Sequence, residues 1–223
     1  SHLNIHVKKG RIYGLLGRNG AGKTTTMRML LGLTAPTSGE VTIFGKPFQG
    51  NEKNILPHIG CLIESPGLYG NMSAYDNLAV KCRLFGINDK RYIENILKTV
   101  GLSNVGKKKT KHFSLGMKQR LGIGMALVGE PDLLLLDEHT AALDPKTADK
   151  VLQITEEIVA RDNLTTLMVT HNMKNAIQYG NRLIMMDAGH VVVDIRGEEK
   201  KNLTVRDLLE KFNIESDRML LSE

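Results

Sequence analysis

Residues 17–24 read Gly-Arg-Asn-Gly-Ala-Gly-Lys-Thr and match the pattern G-x-x-x-x-G-K-[ST] without deviation. They follow an apolar run at 11–16 that predicts a buried strand, and they open a predicted helix from about 23 to 32. Small residues let the backbone curl around a phosphate with its N–H groups pointing inward, and the helix N-terminus adds a favourable dipole. We therefore predict a phosphate-binding loop in which Lys23 reaches the β- and γ-phosphates of a nucleotide and the Thr24 hydroxyl binds Mg²⁺.

A second signal is an acidic pair after an apolar strand. Four leucines at 133–136 precede Asp137 and Glu138, and such a continuous apolar run is typical of a parallel strand covered by helices on both faces. Alone, the pair could be a plain strand end. With Lys23 upstream, it predicts that Asp137 holds Mg²⁺ through a water molecule and that Glu138 polarises the attacking water.

The rest of the chain alternates between strand and helix patterns. Strands are predicted at 3–7, 40–44, 59–63, 164–169, 182–187 and 190–195, and helices at 74–86, 89–100, 115–128, 146–161, 173–179 and 203–212. This order predicts an α/β core with a helical insertion.

Composition narrows the class of protein. The 223 residues carry a net charge of +6 and are 41% hydrophobic, which suits one globular domain, or a core with an inserted subdomain, and excludes overall disorder. The longest apolar stretch is far short of the ~20 residues that span a bilayer. Only 4% of residues are aromatic, which argues against single-strand nucleic-acid binding, whereas the positive charge also suits a protein docked under anionic lipids.

Cysteine usage and the first residues predict a cytosolic location. Cys61 and Cys82 lie in apolar patterns and are expected to be buried free thiols, too few for a disulfide framework. The first residues lack the pattern of a secretory signal peptide.

Three further motifs carry a family resemblance. The segment Ser114-Leu-Gly-Met-Lys-Gln-Arg120 resembles the signature motif of ABC-type ATPases and begins 23 residues before Asp137. Residues 142–144, Ala-Leu-Asp, resemble the D-loop of that family, and His171 resembles its switch histidine. The resemblance implies the α/β fold of a P-loop NTPase, with a RecA-like core at 1–67 and 131–223 and a helical signature subdomain at 68–130. Together these form a single ABC ATP-binding domain over 1–223.

The resemblance also implies partners and a ligand set. In the family, two such domains pack head to tail and bury two ATP molecules, with the signature helix of one domain facing the γ-phosphate held by the other. The cofactors implied are ATP and Mg²⁺, and the other partners are transmembrane permease subunits at the inner face of the cell membrane. Implied catalytic residues are Glu138, His171 and Lys23, and implied metal ligands are Thr24, Asp137 and Glu64. Implied ATP-binding residues are Gly17, Asn19, Gly20, Ala21, Gly22, Lys23, Thr24, Thr25, Glu64, Ser114, Gly116 and Asp144.

Two departures from the family pattern bear on the type of transporter. Glu64 stands where most members carry a glutamine, and this could add a carboxylate ligand for Mg²⁺ or be a tolerated isosteric replacement. With the signature segment, it makes the first half resemble ATPases of lantibiotic-immunity and bacitracin-resistance exporters. The second half, with His139 where the family usually has proline, resembles importer ATPases. A recombinant or fused chain with a junction near 115–137 is one interpretation of this difference.

These features leave four functional hypotheses. The first is an ATPase subunit that powers export of a peptide antibiotic or other hydrophobic substrate, and the second is an importer subunit with the same chemistry. A ribosome- or DNA-acting relative is disfavoured by the single domain and the two cysteines, and a non-hydrolysing scaffold by the complete motifs. In the family, an aromatic residue about 25 positions before the lysine loop stacks on adenine. Here Gly17 lies too close to the first residue for that position to exist, so we expect this chain to be truncated by one or two strands.

Overall fold

The computed structural model describes residues 3–220, with side chains described as far as residue 213. The strands are β1 (Ile12–Gly17), β2 (Thr42–Ile43), β3 (Lys46–Pro47), β4 (Ile59–Ile63), β5 (Leu133–Asp137), β6 (Thr165–Thr170), β7 (Arg182–Asp187) and β8 (His190–Arg196). The helices are α1 (Lys23–Leu30), α2 (Glu52–Ile55), α3 (Ala74–Leu84), α4 (Lys90–Thr99), α5 (Leu115–Leu127), α6 (Pro145–Asp162), α7 (Met173–Gln178), α8 (Glu198–Lys201) and α9 (Val205–Leu220).

The chain divides into two compact units. The first comprises the chain up to Ile55 and from Thr165 onward, and the second comprises Leu56–Leu164. The subdomain boundaries at 67/68 and 130/131 stay a prediction.

The first unit is built on a sheet with strand order β6-β1-β7-β8. β1 lies parallel to both β6 and β7, and β8 lies antiparallel to β7. Every residue of β1 and β6 is buried, as expected for parallel strands covered on both faces. A core cluster joins the end of β1 to α7, β7, β8 and α9 through Leu16, Ala176, Leu183, Met185, Val193, Ile195, Leu203, Leu208 and Phe212.

The second unit contains the parallel pair β4 and β5, with α5 packed on β4 and on α3, α4 and α6. Gly60 permits the close approach of α5, because a Cβ atom there would lie less than 2.5 Å from the Ala126 carbonyl oxygen. Arg120 of α5 donates hydrogen bonds to the carbonyl oxygens of Val100 (3.3 Å) and Gly101 (2.7 Å). These bonds tie the turn after α4 to the signature helix.

The predicted α/β class and most of the predicted elements are confirmed, but two differ in extent. The strand expected at 40–44 is only Thr42–Ile43, and the last helix, expected at 203–212, spans Val205–Leu220. The prediction of a strand at 3–7 is wrong. The His6 carbonyl in this segment accepts a hydrogen bond from the Arg182 side chain (2.9 Å), and directly after the segment the Lys8 N–H donates to the Tyr13 hydroxyl (2.7 Å). The short elements β3, α2 and α8 were not predicted.

The expectation that both cysteines are buried holds for Cys82 but is wrong for Cys61, which is exposed. Gly60 and Leu62 on either side of Cys61 are buried, so other elements cover only one face of β4. An apolar run therefore did not guarantee burial on both faces here. Between residues 3 and 220, no helix has the length and apolar character needed to cross a membrane.

Candidate functional site

The predicted phosphate loop lies between β1 and α1 in the first unit. Gly20 and Gly22 have φ angles of 85° and 96°, a left-handed conformation that favours glycine. Gly17 is also sterically required, because a Cβ atom there would lie 2.5 Å from the Met186 carbonyl oxygen. The loop therefore curls as the motif predicts, with α1 beginning at Lys23.

Lys23 is folded into this loop. Its side chain is 5% exposed, and its Nζ donates to the carbonyl oxygens of Gly17 (2.8 Å) and Arg18 (3.0 Å). An ammonium group held by two carbonyl oxygens of the loop gives the loop a positive centre, which suits it electrostatically to a phosphate anion.

The turn between β7 and β8 packs against the phosphate loop. The Gly189 N–H donates to the Ala21 carbonyl (3.2 Å). A Cβ atom on Gly22 would meet the Met186 methyl group at 3.6 Å and the Gly189 Cα at 3.7 Å. The predicted strands at 182–187 and 190–195 flank this turn, but nothing in the sequence connected it with the phosphate loop.

His171 lies at the same edge of the sheet as the phosphate loop. β6 is parallel to β1, and Thr170 at its end pairs with Leu16, the residue before Gly17. His171 follows directly and is exposed. The fold thus brings the predicted switch histidine beside the loop, although the two are about 150 positions apart in the sequence.

In the second unit, the ends of β4 and β5 bring the predicted acidic residues together. Ile63 pairs with Asp137, so Glu64 emerges beside Asp137 and Glu138. Asp137 is 1% exposed and Glu138 is half-buried. Glu64 and Glu138 have φ angles of 59° and 46°, which residues other than glycine rarely adopt. Backbone strain of this kind is common where side chains must be aimed at a functional site.

The acidic residues are consistent with a bound Mg²⁺ ion. A buried carboxylate such as Asp137 needs compensating positive charge. Within the described residues, no group of three or more His, Cys, Asp or Glu side chains could hold a metal by itself. Mg²⁺ commonly takes only one or two protein carboxylates together with water and substrate phosphates, so this donor set fits it.

His139 follows the acidic pair and is buried, with 1% exposure. In the part of the chain that the structure describes, neither ring nitrogen has a hydrogen-bond partner. Burial lowers the pKa of His139 to about 4, so its ring is neutral at pH 7.

The predicted signature motif and the predicted D-loop lie close together in the second unit. Ser114 caps α5 by accepting a hydrogen bond from the Met117 N–H (3.3 Å), and Asp144 caps α6 by accepting one from the Thr147 N–H (3.0 Å). Gly116 lies against Thr147, because a Cβ atom on Gly116 would come within 2.5 Å of the Thr147 methyl carbon. Hydrogen bonds from Thr147 lower the pKa of Asp144 and keep it ionised at the start of α6.

The predicted site residues thus form two sets, one in each unit. The first unit holds the phosphate-loop residues and His171, and the second holds Glu64, Asp137, Glu138, Ser114, Gly116 and Asp144. Arg18 had no predicted role, and its guanidinium lies over the Phe212 ring at 4.9 Å from its centroid. Nothing in the sequence links positions 18 and 212. An aromatic residue on the apolar face of the last predicted helix was the only available signal.

Comparison with known families and proteins gives consistent results. Residues 1–141 match the family described as ABC transporter. The chain is 41% identical over 222 residues to the bacitracin transport ATP-binding protein BcrA of Bacillus licheniformis, covering all of this chain and 72% of that protein. It is 36% identical to the lantibiotic transport ATP-binding protein SrtF of Streptococcus pyogenes, over 91% of this chain and 86% of SrtF. It is 33% identical to the methionine import ATP-binding protein MetN 2 of Enterococcus faecalis, over 99% of this chain and 68% of that protein.

Solved structures show the same fold. CbiO1 of Clostridium perfringens, part of the ABC transporter complex cbiONQ, superposes with a TM-score of 0.81 at 26% identity, over 99% of this chain and 91% of CbiO1. The dimeric ATP-binding cassette MJ0796 bound to ADP and Pi superposes with a TM-score of 0.76 at 26% identity, over 87% of this chain and 88% of the cassette.

Proposed function

Because the chain belongs to the ABC transporter family and is an ATPase of that family, we propose that it powers a membrane exporter of a peptide antibiotic or another hydrophobic substrate. The observation that carries the nucleotide chemistry is Lys23, buried inside a glycine-shaped loop at the start of α1. The exporter assignment is supported by the similarity to BcrA along the whole chain and to SrtF along nine-tenths of it.

The proposed reaction is in-line attack of water on the γ-phosphate of ATP. Lys23 and the amides of the phosphate loop hold the β- and γ-phosphates and stabilise the charge that develops on them. Glu138 orients and polarises the water, and His171, beside the loop, contacts the γ-phosphate. Asn19 within the loop and Thr25 directly after it also contribute to the proposed nucleotide site.

Thr24, Asp137 and Glu64 are the residues that would hold Mg²⁺. The ion would supply positive charge that neutralises the phosphates of the nucleotide. Asp137 is suited to this role by its burial, and Glu64 by its position beside Asp137 at the end of β4.

The proposed active form is a head-to-tail dimer. Ser114 and Gly116 would face the γ-phosphate held by a second ATP-binding domain, with Asp144 close to the same interface. Ser114 accepts a hydrogen bond from the Met117 N–H, and the other amides in the first turn of a helix can donate to an anion. Dimerisation is supported by the dimeric cassette MJ0796, and a permease partner by the cbiONQ complex that contains CbiO1. The chain would therefore lie peripherally on the inner face of the cell membrane.

A Glu138→Gln variant tests the dimer and the catalytic assignment together. We expect it to bind Mg-ATP and elute as a dimer in light scattering on a sizing column, while hydrolysis falls by about 10²–10⁴-fold. Lys23→Ala is the matched control and should stay monomeric, since it lacks the phosphate-binding ammonium group. An unchanged turnover rate in Glu138→Gln would remove Glu138 from the mechanism, and a monomer with ATP bound would contradict self-association.

The direction of transport needs a cellular test. The importer alternative is supported by the similarity to MetN 2, but the sequence identity to MetN 2 is lower than the identity to BcrA. Deleting the gene should lower the bacitracin or lantibiotic concentration that inhibits growth, and the unaltered gene, but not the Glu138→Gln variant, should restore resistance. Unchanged resistance together with loss of growth on limiting methionine would favour import.

A further inference from the structure

The last helix, α9, contacts the phosphate loop within the first unit. The Cζ atom of Arg18 lies 4.9 Å from the centroid of the Phe212 ring, a cation–π distance. Arg18 is an exposed residue of the loop, whereas Phe212 is 2% exposed. The arrangement places a cation at the rim of the loop and fixes it on a buried ring.

Arg18 is also part of the backbone framework of the loop. Its carbonyl oxygen accepts hydrogen bonds from the Lys23 Nζ (3.0 Å) and from the Ala21 N–H (3.1 Å). A shift of the Arg18 backbone would therefore disturb one hydrogen bond of the ammonium group and one of a loop amide. The side chain and the backbone of one residue link α9 to the phosphate-binding atoms.

The Phe212 ring is itself firmly placed. It belongs to the core cluster that includes Leu16, the residue that precedes the loop, and Leu208, one turn earlier in α9. The start of α9 is fixed by reciprocal bonds between Thr204 and Asp207: the Asp207 N–H donates to the Thr204 hydroxyl (3.2 Å), and the Thr204 N–H donates to the Asp207 carboxylate (3.0 Å). A well-anchored ring is what a positioning role requires.

We propose that Phe212 is a positioning residue for nucleotide binding, which holds the Arg18 guanidinium and so makes α9 part of the support of the phosphate loop. The proposal rests on the proposed ATPase function. With the ring in place, Arg18 is ordered before ATP arrives and its positive charge stays at the rim of the loop. Without the ring, Arg18 must be ordered on binding, and the nucleotide affinity falls by that cost.

The test is a double-mutant cycle with Phe212→Leu and Arg18→Gln on the full chain. Phe212→Leu keeps an apolar side chain in the core but removes the π face. A cation–π pair at an exposed position corresponds to about 2- to 5-fold in affinity. We expect the Kd for a fluorescent ATP analogue and the KM for ATP to rise by that factor in Phe212→Leu, with kcat unchanged. In the Arg18→Gln background, Phe212→Leu should have no further effect.

Tyr13→Leu is the matched control, because it removes the other ring that carries an arginine in this unit: the Arg182 guanidinium lies 5.3 Å from the Tyr13 centroid. It should lower thermal stability but leave the Kd for ATP unchanged. Arg18→Lys keeps the cation and should restore part of the affinity lost in Arg18→Gln.

Equal affinity in Phe212→Leu and the parent, with both folded by circular dichroism, would overturn the inference alone. So would additive effects in the double variant. If Phe212→Leu does not fold, an Arg18→Gln affinity equal to that of the parent overturns it. If the parent binds no ATP, the proposed function fails, and the inference fails with it.

Discussion

Gly116 offers a sharp test of how the signature motif is built. It is buried in the first turn of α5, and a Cβ atom there would lie less than 2.5 Å from the Thr147 methyl carbon of α6. Carbon atoms are in optimal contact at about 3.5–4.0 Å, so Gly116→Ala creates an overlap of more than about 1 Å. Overpacking of this kind costs about 1–3 kcal/mol, which corresponds to a melting temperature lower by about 2–12 °C for a chain of this size.

The same geometry predicts a specific rescue. Thr147→Ser removes the colliding methyl group and keeps the hydroxyl group, and the next atom, the Thr147 Cβ, would lie 3.8 Å from the added Cβ. In addition, alanine in a helix interior is more stable than glycine there by about 0.5–1 kcal/mol. We therefore expect the double variant Gly116→Ala with Thr147→Ser to lie within about 1 kcal/mol of the parent.

Differential scanning fluorimetry and an ATPase assay, run on the parent, both single variants and the double variant, separate stability from function. If Gly116 also lets the signature helix approach a second domain's ATP, the double variant regains its melting temperature but not its activity. A double variant as unstable as Gly116→Ala would refute the steric reasoning. Full recovery of activity would show that Gly116 serves packing only.

Three further predictions follow from single contacts. Lys23→Ala removes an ammonium group from the phosphate loop and should weaken ATP binding by about 10- to 150-fold in a fluorescence titration; unchanged affinity would exclude Lys23 from the site. Ser114→Ala removes the cap of α5 and should lower the melting temperature by about 2–4 °C, whereas Ser114→Thr keeps the cap; equal loss in both variants would contradict this role. The Arg182 guanidinium lowers the pKa of Asp194, so their pairing stabilises the fold above the ordinary aspartate range and is lost as pH falls through the lowered pKa. In urea titrations from pH 7 to 3, the free energy of unfolding should therefore fall less steeply with pH for Asp194→Asn than for the parent. If the two curves of unfolding free energy against pH are parallel, the contribution of this pair is refuted.

Much of the candidate site could be predicted because its signals are local. The phosphate loop needs glycines at particular φ angles and a helix that begins at Lys23, and both requirements are met by neighbouring residues. Likewise, the strand that ends in Asp137 was predicted from four consecutive leucines. Caps such as Ser114 act over three residues, so a single segment contains the whole interaction.

The errors arose where burial or pairing depends on distant residues. The alternating pattern at 3–7 resembles a strand, but the His6 carbonyl bonds to the Arg182 side chain and the following Lys8 N–H bonds to the Tyr13 hydroxyl. Cys61 lies in an apolar run, yet only one face of β4 is covered. Neither outcome is encoded within the segment itself, since each depends on what the fold places beside it.

By itself, the sequence predicted the chemistry: which residues would bind phosphate, which carry acid groups and which would open the signature helix. Those properties depend on side-chain type and on spacing within one turn or strand, which the order of residues fixes directly. Only the tertiary structure decided which of these residues share an edge of a sheet, as Leu16 with Thr170 and Ile63 with Asp137 do. It alone brought Phe212 beneath Arg18, because contacts between distant positions depend on how the whole chain buries its apolar surface.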